Sequence, residues 1–246
     1  MLVSDIDNTL IGDKPSLVTL MSMLQRCGHE FGFAVATGRN LDSTLRVLRQ
    51  WSVRVPDVLI TSVGSEIHYG RELKPDVGWR NHIRYQWRRD ALEQALAEVP
   101  GLSLQLPESQ REFKLSYDVD PDAMPALRTL QAMLRAQRLS AKLIYSHESF
   151  LDVLPVRASK GQAVRYLAYK WGLPLGNFLV AGDSGNDEEM LLGDTLAVVV
   201  GNHSPELATL RGLERVYFAN AAHAAGIMEG IAHYGFVCQG YSMEAG

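Results

Sequence analysis

Short apolar runs and amphipathic stretches alternate along the first third of the chain. Apolar runs predict strands, and apolar residues that recur every three or four positions predict helices. On this basis we predict strands at residues 1–5, 33–37 and 58–62, an added strand at 66–69, and helices at 15–27 and 42–51. Such alternation of strand and helix is typical of a parallel sheet that is covered by helices on both faces.

The pattern changes near Asp76 and becomes a mixture of helices and alternating strands. The segment Phe113-Lys114-Leu115-Ser116-Tyr117 alternates in polarity, which is typical of a sheet with one solvated face. We predict helices at residues 79–98 and 122–137, and strands near 102–106, 113–119, 141–145 and 150–154. Together these elements form an α+β unit large enough to fold as a separate domain.

After Pro155 the alternation of strand and helix resumes. We predict helices at residues 160–171, 188–192 and 222–233, and strands at 178–181 and 196–200. The simplest architecture is a Rossmann-like α/β core with a parallel sheet, formed by residues 1–77 and 156–246. An α+β cap domain of residues 78–155 is inserted into this core.

Composition and charge limit the partners that the chain can bind. The 246 residues include 24 Lys and Arg against 28 Asp and Glu, a net charge of −4, and 46% of them are hydrophobic. A mildly acidic chain has no general attraction for nucleic acid or anionic membranes. We interpret the basic and aromatic stretch at residues 84–89 as one turn of cap surface, and we expect neither nucleic acid nor a membrane as a partner.

The location is predicted from the same features. No apolar run is long enough to span a bilayer, and the first residues lead directly to Asp5 without the pattern of a signal peptide. Two cysteines, Cys27 and Cys238, cannot form a disulfide framework, and we interpret them as buried or reduced thiols. We therefore expect a cytoplasmic protein.

Two carboxylates directly follow the first predicted strand. In Asp5-Ile6-Asp7-Asn8-Thr9, residues 5 and 7 share a face of an extended segment, so both side chains could approach one site at the carboxyl end of the sheet. One could be a nucleophile and the other a general acid and base. A solvated turn of Asp and Asn residues is the alternative, and it would be preferred if the motif stood alone.

A second acidic motif is expected at the same edge of the sheet. Gly182-Asp183-Ser184-Gly185-Asn186-Asp187 follows another apolar strand. Clustered carboxylates with few basic neighbours suit a hard divalent cation, and Mg²⁺ is preferred. A helix cap formed by Ser184 or Asn186 is the alternative, and it is compatible with a metal site.

Two further motifs could bind an anion. Thr37-Gly38-Arg39 follows the second strand and offers a hydroxyl beside helix N-terminal amides, although a simple helix cap would also explain it. Ser159-Lys160-Gly161 opens a helix, where a lysine has the wrong sign for the helix dipole. Neutralisation of the carboxylates and of a phosphoryl group would explain Lys160, and an ordinary exposed lysine is the alternative.

The four motifs, in this order and at strand ends or helix starts, resemble those of the haloacid-dehalogenase-like phosphatase superfamily. The resemblance covers essentially the whole chain and implies a large cap between the second and third motifs. It implies that Asp5 is a nucleophile that forms a phospho-aspartyl intermediate, and that Asp7 is the general acid and then the base for water. Thr37 would hold the phosphoryl group, and Lys160 would neutralise its charge.

The same resemblance implies ligand sets. Mg²⁺ would be held by the Asp5 carboxylate, the Asp7 backbone carbonyl and Asp183, with Asp187 a ligand or close behind one. The phosphoryl group would be bound by Thr37, Gly38, Lys160 and Asn186.

Other segments are similar to the sucrose-phosphate phosphatase family. They are Val63-Gly64-Ser65-Glu66-Ile67, Phe113-Lys114-Leu115-Ser116-Tyr117, Asp152-Val153-Leu154-Pro155 and His223-Ala224-Ala225-Gly226-Ile227, with the Asn8 variant of the first motif. This similarity implies that the sugar is contacted by Arg39, Ser65, Glu66, Lys114, Tyr117 and Asp152. Local roles on a hairpin or on the wet face of the cap sheet are the alternatives.

The expected function is therefore that of an Mg²⁺-dependent phosphatase that hydrolyses a sugar phosphate, with sucrose 6-phosphate preferred. A phosphatase for a mannosylglycerate or glucosylglycerol precursor is one alternative. A non-catalytic sugar-phosphate-binding module derived from a glycosyltransferase fusion is another, because the first strand begins almost at residue 1. Association with a sugar-phosphate synthase of the glycosyltransferase type is expected as well.

Overall fold

The computed structural model describes residues 1–28 and 31–236, and two sheets organise them. The elements before the insertion are β1 (Leu2–Ser4), α1 (Lys14–Arg26), β2 (Phe33–Ala36), α2 (Leu41–Gln50), β3 (Val58–Thr61), β4 (Glu66–Tyr69) and β5 (Lys74–Pro75). Helix α1 begins where Asp13 accepts a hydrogen bond from the Ser16 amide, and α2 begins where Asn40 accepts one from Ser43.

The middle of the chain contributes a smaller antiparallel sheet and three helices. Its elements are α3 (Val77–Ile83), α4 (Arg89–Leu96), β6 (Leu102–Leu104), β7 (Leu115–Val119), α5 (Leu127–Ala136), β8 (Lys142–Ser146) and β9 (Phe150–Leu154). The strand order is β6-β7-β9-β8. Helices α4 and α5 pack on one face of this sheet through Leu92, Leu96, Leu130 and Leu134.

The chain then returns to the larger sheet. The elements are α6 (Lys160–Trp171), β10 (Leu179–Gly182), α7 (Glu188–Leu191), β11 (Leu196–Val199), β12 (Val216–Phe218) and α8 (His223–His233). The order of the larger sheet is β12-β11-β10-β1-β2-β3-β4-β5. Strands β12 to β3 are parallel, whereas β4 and β5 are antiparallel additions at one edge.

Helices cover both faces of the larger sheet. Helices α1, α2 and α8 share one buried cluster with Leu2, Phe33 and Leu59. Helices α3, α6 and α7 share the other cluster with Val3, Ala34 and Ile60. The expected α/β core with a parallel sheet and an inserted α+β unit is therefore confirmed, and the carboxyl ends of β1, β2 and β10 meet at one edge.

The predicted helix over residues 79–98 is two helices, α3 and α4. The break contains Gln86 in the left-handed conformation at φ 57°. Trp79 and Ile83 of α3 pack in the larger sheet's cluster, whereas Leu92 and Leu96 of α4 pack on the smaller sheet. The helix breaks because its two halves pack in different hydrophobic cores. By its packing, α3 belongs with the core of the larger sheet. The domain division at 77/78 and 155/156 stays a prediction.

Smaller differences concern two elements. The sequence analysis missed β12, and the predicted helix 122–137 begins only at Leu127, after Pro121 and Pro125.

Cys27 is buried and disulfide-bonded, so the expectation of a reduced thiol is wrong there, and Cys238 lies outside the described residues. Over residues 1–28 and 31–236, no helix combines the length and the apolar character needed to cross a bilayer.

Candidate active site

The first acidic motif lies where β1 ends between β2 and β10. The Asp5 amide donates to the Ala181 carbonyl at 2.9 Å, which ties the start of the loop to β10. Asp5 is 6% exposed, and one of its carboxylate oxygens lies 2.6 Å from Lys160 Nζ. Asn8 adopts the left-handed conformation at φ 59°, so the chain turns directly after Asp7.

Lys160 is fully buried at the first turn of α6, and its ammonium lies between two carboxylates. Nζ is 2.6 Å from Asp5 Oδ1 and 2.7 Å from Asp187 Oδ1. Burial alone would lower the pKa of Lys160, but Asp187 and Asp5 outweigh that effect and raise it. The alternative of an ordinary exposed lysine is therefore wrong.

Glycines allow the close approach that buries this lysine. A Cβ on Gly161 would lie 2.4 Å from the Glu189 carbonyl oxygen, and a Cβ on Gly64 would lie 2.2 Å from the Ser159 carbonyl carbon. Ser159 caps α6 by accepting a hydrogen bond from the Gln162 amide. The start of α6 is thus packed tightly between its neighbours, which fixes where the lysine side chain begins.

The second acidic motif folds back on itself after β10. One Asp187 oxygen accepts from the amides of Asp183 at 3.1 Å and Ser184 at 3.3 Å, while the other binds Lys160. Ser184 forms a capping box with Asp187, so the capping alternative and the acidic cluster are both present. Asp183 Oδ1 accepts a hydrogen bond of 2.7 Å from the Thr9 hydroxyl, which links the two motifs.

The three buried carboxylates can hold a cation. Oxygen atoms of Asp5, Asp183 and Asp187 all lie within 4.8 Å of one another. Burial, followed by the charge of Asp187, raises the pKa of Asp183 to about 7, and burial is the largest cause that raises the pKa of Asp5. One ammonium cannot balance three carboxylates, and an all-oxygen donor set fits Mg²⁺. The residues present therefore fit the expected metal.

The predicted anion-binding residues lie beside this cluster. Thr37 is buried after β2, and its hydroxyl oxygen accepts a hydrogen bond of 3.1 Å from the Arg39 amide. Gly38 faces Asn186, because a Cβ on Gly38 would lie 3.8 Å from Asn186 Nδ2. Asn186 Oδ1 is buried and has no hydrogen-bond partner among the described residues. An amide that is free to bind thus borders the carboxylates.

Arg39 lies in the same cleft, where its guanidinium binds Asp7. Nε and Nη2 donate to the two Asp7 oxygens at 2.7 and 2.8 Å, and Nη1 donates to the Ser43 hydroxyl at 2.9 Å. This bidentate geometry fixes the plane of the carboxylate. Arg39, predicted as a sugar contact, is therefore first of all a partner of Asp7.

The smaller sheet forms the roof of a cleft of about 440 Å³ over the carboxylates. Lys114 Nζ lies 3.2 Å from Asp152 Oδ1, which also accepts a hydrogen bond of 2.6 Å from the Ser116 hydroxyl. Residues that line the cleft include Asp5, Asp7, Gly38, Arg39, Asn40, Ser43, Gln105, Ser109, Lys114, His147, Phe150, Ser184 and Asn186. Sequence reasoning missed Gln105, Ser109, His147 and Phe150, which carry no local motif.

Three predicted sugar contacts lie elsewhere. Tyr117 is 2% exposed and packs among the leucines of the cap, and burial raises its pKa to about 12. It points away from Lys114 because odd and even positions of a strand face opposite sides of the sheet. Ser65 and Glu66 line a separate cavity of about 310 Å³, and Glu66 accepts hydrogen bonds from the Thr61 and Ser62 hydroxyls. None of the three lines the cleft over the carboxylates, and their role as sugar contacts stays a prediction.

Contacts between the core and the cap hold the cap over the carboxylates. Asn40 Nδ2 donates to the Glu108 carbonyl at 3.1 Å, and the His147 amide donates to Glu206 at 2.9 Å. Gly185 lies under the cap, because a Cβ there would lie 2.8 Å from the Tyr145 carbonyl oxygen. The described conformation thus has the cap in contact with the second acidic motif.

The family model described as sucrose-6F-phosphate phosphohydrolase matches residues 1–235. The chain belongs to this family. Membership confirms the expected resemblance to sucrose-phosphate phosphatases within the haloacid-dehalogenase-like superfamily.

Individual relatives agree with the family assignment. Sucrose-phosphatase 1 of Nicotiana tabacum is 34% identical in an alignment of 249 positions that covers 95% of this chain and 59% of the tobacco protein. The chain thus spans well under two thirds of that relative. A mannosylfructose-phosphate phosphatase of Agrobacterium fabrum is 27% identical, with 96% of both chains covered.

Solved structures agree with the fold. The sucrose-phosphatase of Synechocystis sp., solved in complex with sucrose and phosphate, superposes with a TM-score of 0.90 at 35% identity and covers 95% of this chain and 97% of its own. A haloacid dehalogenase-like hydrolase of Bacillus subtilis reaches 0.63 at 19% identity, over 94% of this chain and 90% of its own, and supports the fold alone.

Proposed function

We propose that this chain is an Mg²⁺-dependent phosphatase that hydrolyses sucrose 6-phosphate to sucrose and phosphate. The observation that supports this most is the meeting of Asp5, Asp183 and Asp187 around Lys160 beneath a polar cap. Phosphoryl transfer needs mainly positioning and charge stabilisation from a protein, and this arrangement supplies both.

Asp5 is the proposed nucleophile. Lys160 binds Oδ1, so Oδ2 remains available to attack phosphorus in line with the departing sugar oxygen. Attack forms a phospho-aspartyl intermediate and expels the sugar alkoxide, which takes a proton from Asp7. Asp7 enters this step protonated, so Arg39 must first release one of the two oxygens that it binds. A water then gives a proton to Asp7 and attacks phosphorus, which releases phosphate and restores the Asp5 carboxylate.

The other groups stabilise charge or hold positions. Lys160 offsets the negative charge that spreads over the phosphoryl oxygens, and Gly38 and Asn186 line the space where those oxygens would lie. Thr37, buried directly before Gly38, is the proposed hydroxyl donor to them. Mg²⁺, held by Asp5, Asp183 and the Asp7 carbonyl, would draw negative charge from the phosphoryl group. Asp187 is bonded through both oxygens, so its proposed role is to orient Lys160 and the loop behind the metal.

The cap is proposed to select the sugar. Lys114, Ser116 and Asp152 already form a connected polar group at the cleft roof. A buried polar pocket discriminates strongly, because a sugar that lacks the matching hydroxyls leaves polar groups of the pocket without their full set of hydrogen bonds. The sucrose complex of the similar Synechocystis protein supports sucrose as the sugar. The expected cytoplasmic location and the synthase partner stay predictions.

A substrate panel tests the proposal. Phosphate release is measured with sucrose 6-phosphate, mannosylfructose phosphate, the phosphorylated mannosylglycerate and glucosylglycerol precursors and glucose 6-phosphate. We expect the highest kcat/KM for sucrose 6-phosphate, with no turnover in EDTA or in Asp5→Asn. A higher kcat/KM for another ester would identify that ester, and not sucrose 6-phosphate, as the substrate. Binding of sucrose 6-phosphate without release would favour the non-catalytic module.

A further inference from the structure

Two side chains from the C-terminal part of the chain meet at the carbonyl of Asn8, the residue after Asp7. Asn202 Nδ2 donates to this oxygen at 2.7 Å, and His223 Nδ1 lies 2.9 Å from it. Asn202 Nδ2 also lies 3.4 Å from His223 Nδ1. A carbonyl can only accept, so in the tautomer with a proton on Nδ1 the ring donates to Asn8, and we assign this tautomer because the 2.9 Å contact is the shorter of the two. Asn8 is left-handed, so its peptide faces these donors rather than the regular structure of β1.

The donors are themselves held in place. The His223 amide donates to Asn202 Oδ1 at 3.0 Å, and the Gly201 amide donates to the Ala221 carbonyl at 2.8 Å. Glu229 of α8 accepts from the amides of Asn220 at 3.0 Å and Ala221 at 2.9 Å. The loops after β11 and before α8 therefore form one hydrogen-bonded unit behind the nucleophile loop.

The His223 ring also packs closely against the backbone at Gly12. A Cβ on Gly12 would lie 2.3 Å from the His223 ring, and Gly12 has φ 139°, a conformation that favours glycine. The ring thus fills the space that a side chain at position 12 would occupy. Such close packing limits the orientations in which Nδ1 can reach Asn8.

The fixed peptide limits where the backbone of Asp7 can lie, while Arg39 holds its carboxylate. On the other side of the turn, the Ile6 carbonyl accepts from the Leu10 and Ile11 amides, each at 3.0 Å. Thr9, which shares the clamped peptide with Asn8, donates to Asp183. Asp7 lies between these fixed points and reaches into the cleft from them.

We propose that His223 and Asn202 are positioning residues that hold the Asn8–Thr9 peptide so that Asp7 can protonate the departing sugar. The inference rests on the proposed acid role of Asp7. It accounts for the His223-Ala224-Ala225-Gly226-Ile227 segment, to which the sequence analysis gave no role. Neither side chain lines the cleft, so both act through the backbone of the nucleophile loop.

A leaving-group comparison separates this role from a purely structural one. Sugar alkoxides need a proton in order to depart, whereas p-nitrophenolate departs readily without one. Loss of a hydrogen-bonding partner behind a metal ligand typically costs about 10- to 100-fold in activity, and the clamped peptide leads to Thr9, which binds the proposed ligand Asp183. We expect Asn202→Ala and His223→Gly to lower kcat/KM for sucrose 6-phosphate by about that factor, and to change kcat/KM for p-nitrophenyl phosphate far less.

Matched variants make the test specific. Glycine tolerates the φ of 53° at position 223 but has no donor, whereas His223→Asn tolerates the same φ and retains an N–H near Nδ1. We expect His223→Asn to restore most of the sugar-phosphate activity. His82→Ala, an exposed histidine of α3, should behave as wild type.

The possible outcomes separate the two ideas. Equal losses on both substrates, in step with a lowered Tm, would overturn the positioning role and leave the proposed function intact. Unchanged kcat/KM in both Asn202→Ala and His223→Gly would do the same. If the wild type turned over neither sucrose 6-phosphate nor p-nitrophenyl phosphate, the proposed function would be wrong, and the positioning role with it.

Discussion

Removal of the metal should make folding stability depend on pH through Asp183. This side chain is 3% exposed, and burial with the nearby Asp187 raises its pKa from 3.8 to about 7. Between these two values the folded protein keeps a proton on Asp183 that the unfolded chain has lost. The contribution of Asp183 to stability therefore falls as pH rises, until it levels off above the folded pKa.

The size of the effect follows from the gap between the two pKa values. Each unit is worth about 1.4 kcal/mol, so the full gap corresponds to about 4 kcal/mol. Between pH 5 and 8 the expected loss is about 2–3 kcal/mol, because part of the range lies below pH 5. Bound Mg²⁺ favours the ionised carboxylate, and it should abolish the decline.

Urea unfolding in EDTA, at intervals from pH 5 to pH 8, measures this directly. Asp183→Asn is the matched variant, because its amide keeps the shape and an oxygen for the Thr9 hydroxyl. The wild type should lose about 2–3 kcal/mol more than the variant over this range. Parallel curves for the two proteins, or a decline that persists in Mg²⁺, would refute the reasoning.

Three further variants test separate parts of the site. Lys160→Met leaves the buried Asp5 without its cation, so we expect no turnover and a loss of about 3–5 kcal/mol in EDTA by urea unfolding. Asp152→Asn weakens the partner of Lys114, so KM for sucrose 6-phosphate should rise about tenfold while p-nitrophenyl phosphate is unaffected. Tyr117→Phe removes a buried hydroxyl that lacks a partner among the described residues, so activity should stay constant and stability should rise by up to about 1 kcal/mol.

Each of these expectations has a contrary result. Lys142→Met breaks a partly exposed ion pair and is the control for Lys160→Met, so similar losses in both would mean that burial of the ammonium is unimportant. An equal KM change on both substrates for Asp152→Asn would place Asp152 outside sugar recognition. A large loss of activity in Tyr117→Phe would indicate that the Tyr117 hydroxyl takes part in sugar binding or catalysis.

The carboxylate cluster could be predicted from sequence because parallel strands end at a common edge. Asp5 and Asp183 each follow an apolar strand directly, and the structure pairs those strands as neighbours. Lys160 was predicted from its unfavourable place at a helix start, which only nearby carboxylates could explain. Where strand ends and helix starts define a site, local patterns are enough.

The cap was harder to predict because its contribution depends on how it lies over the core. His147 and Phe150 reach the cleft from the hairpin that β8 and β9 form. No local sequence pattern determines the direction in which that hairpin points. Tyr117 is different, since strict alternation with Lys114 already placed it on the opposite face of the strand. Asn202 was missed because its hydrogen bonds, to the Asn8 carbonyl and from the His223 amide, join residues far apart in the sequence.

The most direct test of the central claim is to trap the phosphoryl group on the protein. Asp7→Asn with p-nitrophenyl phosphate should form the phospho-enzyme, since that leaving group needs no acid, but hydrolyse it slowly without the base. Mass spectrometry of the rapidly quenched protein should locate one phosphoryl group on Asp5. A phosphoryl group on another residue, or turnover by Asp5→Asn at the wild-type rate, would contradict the account.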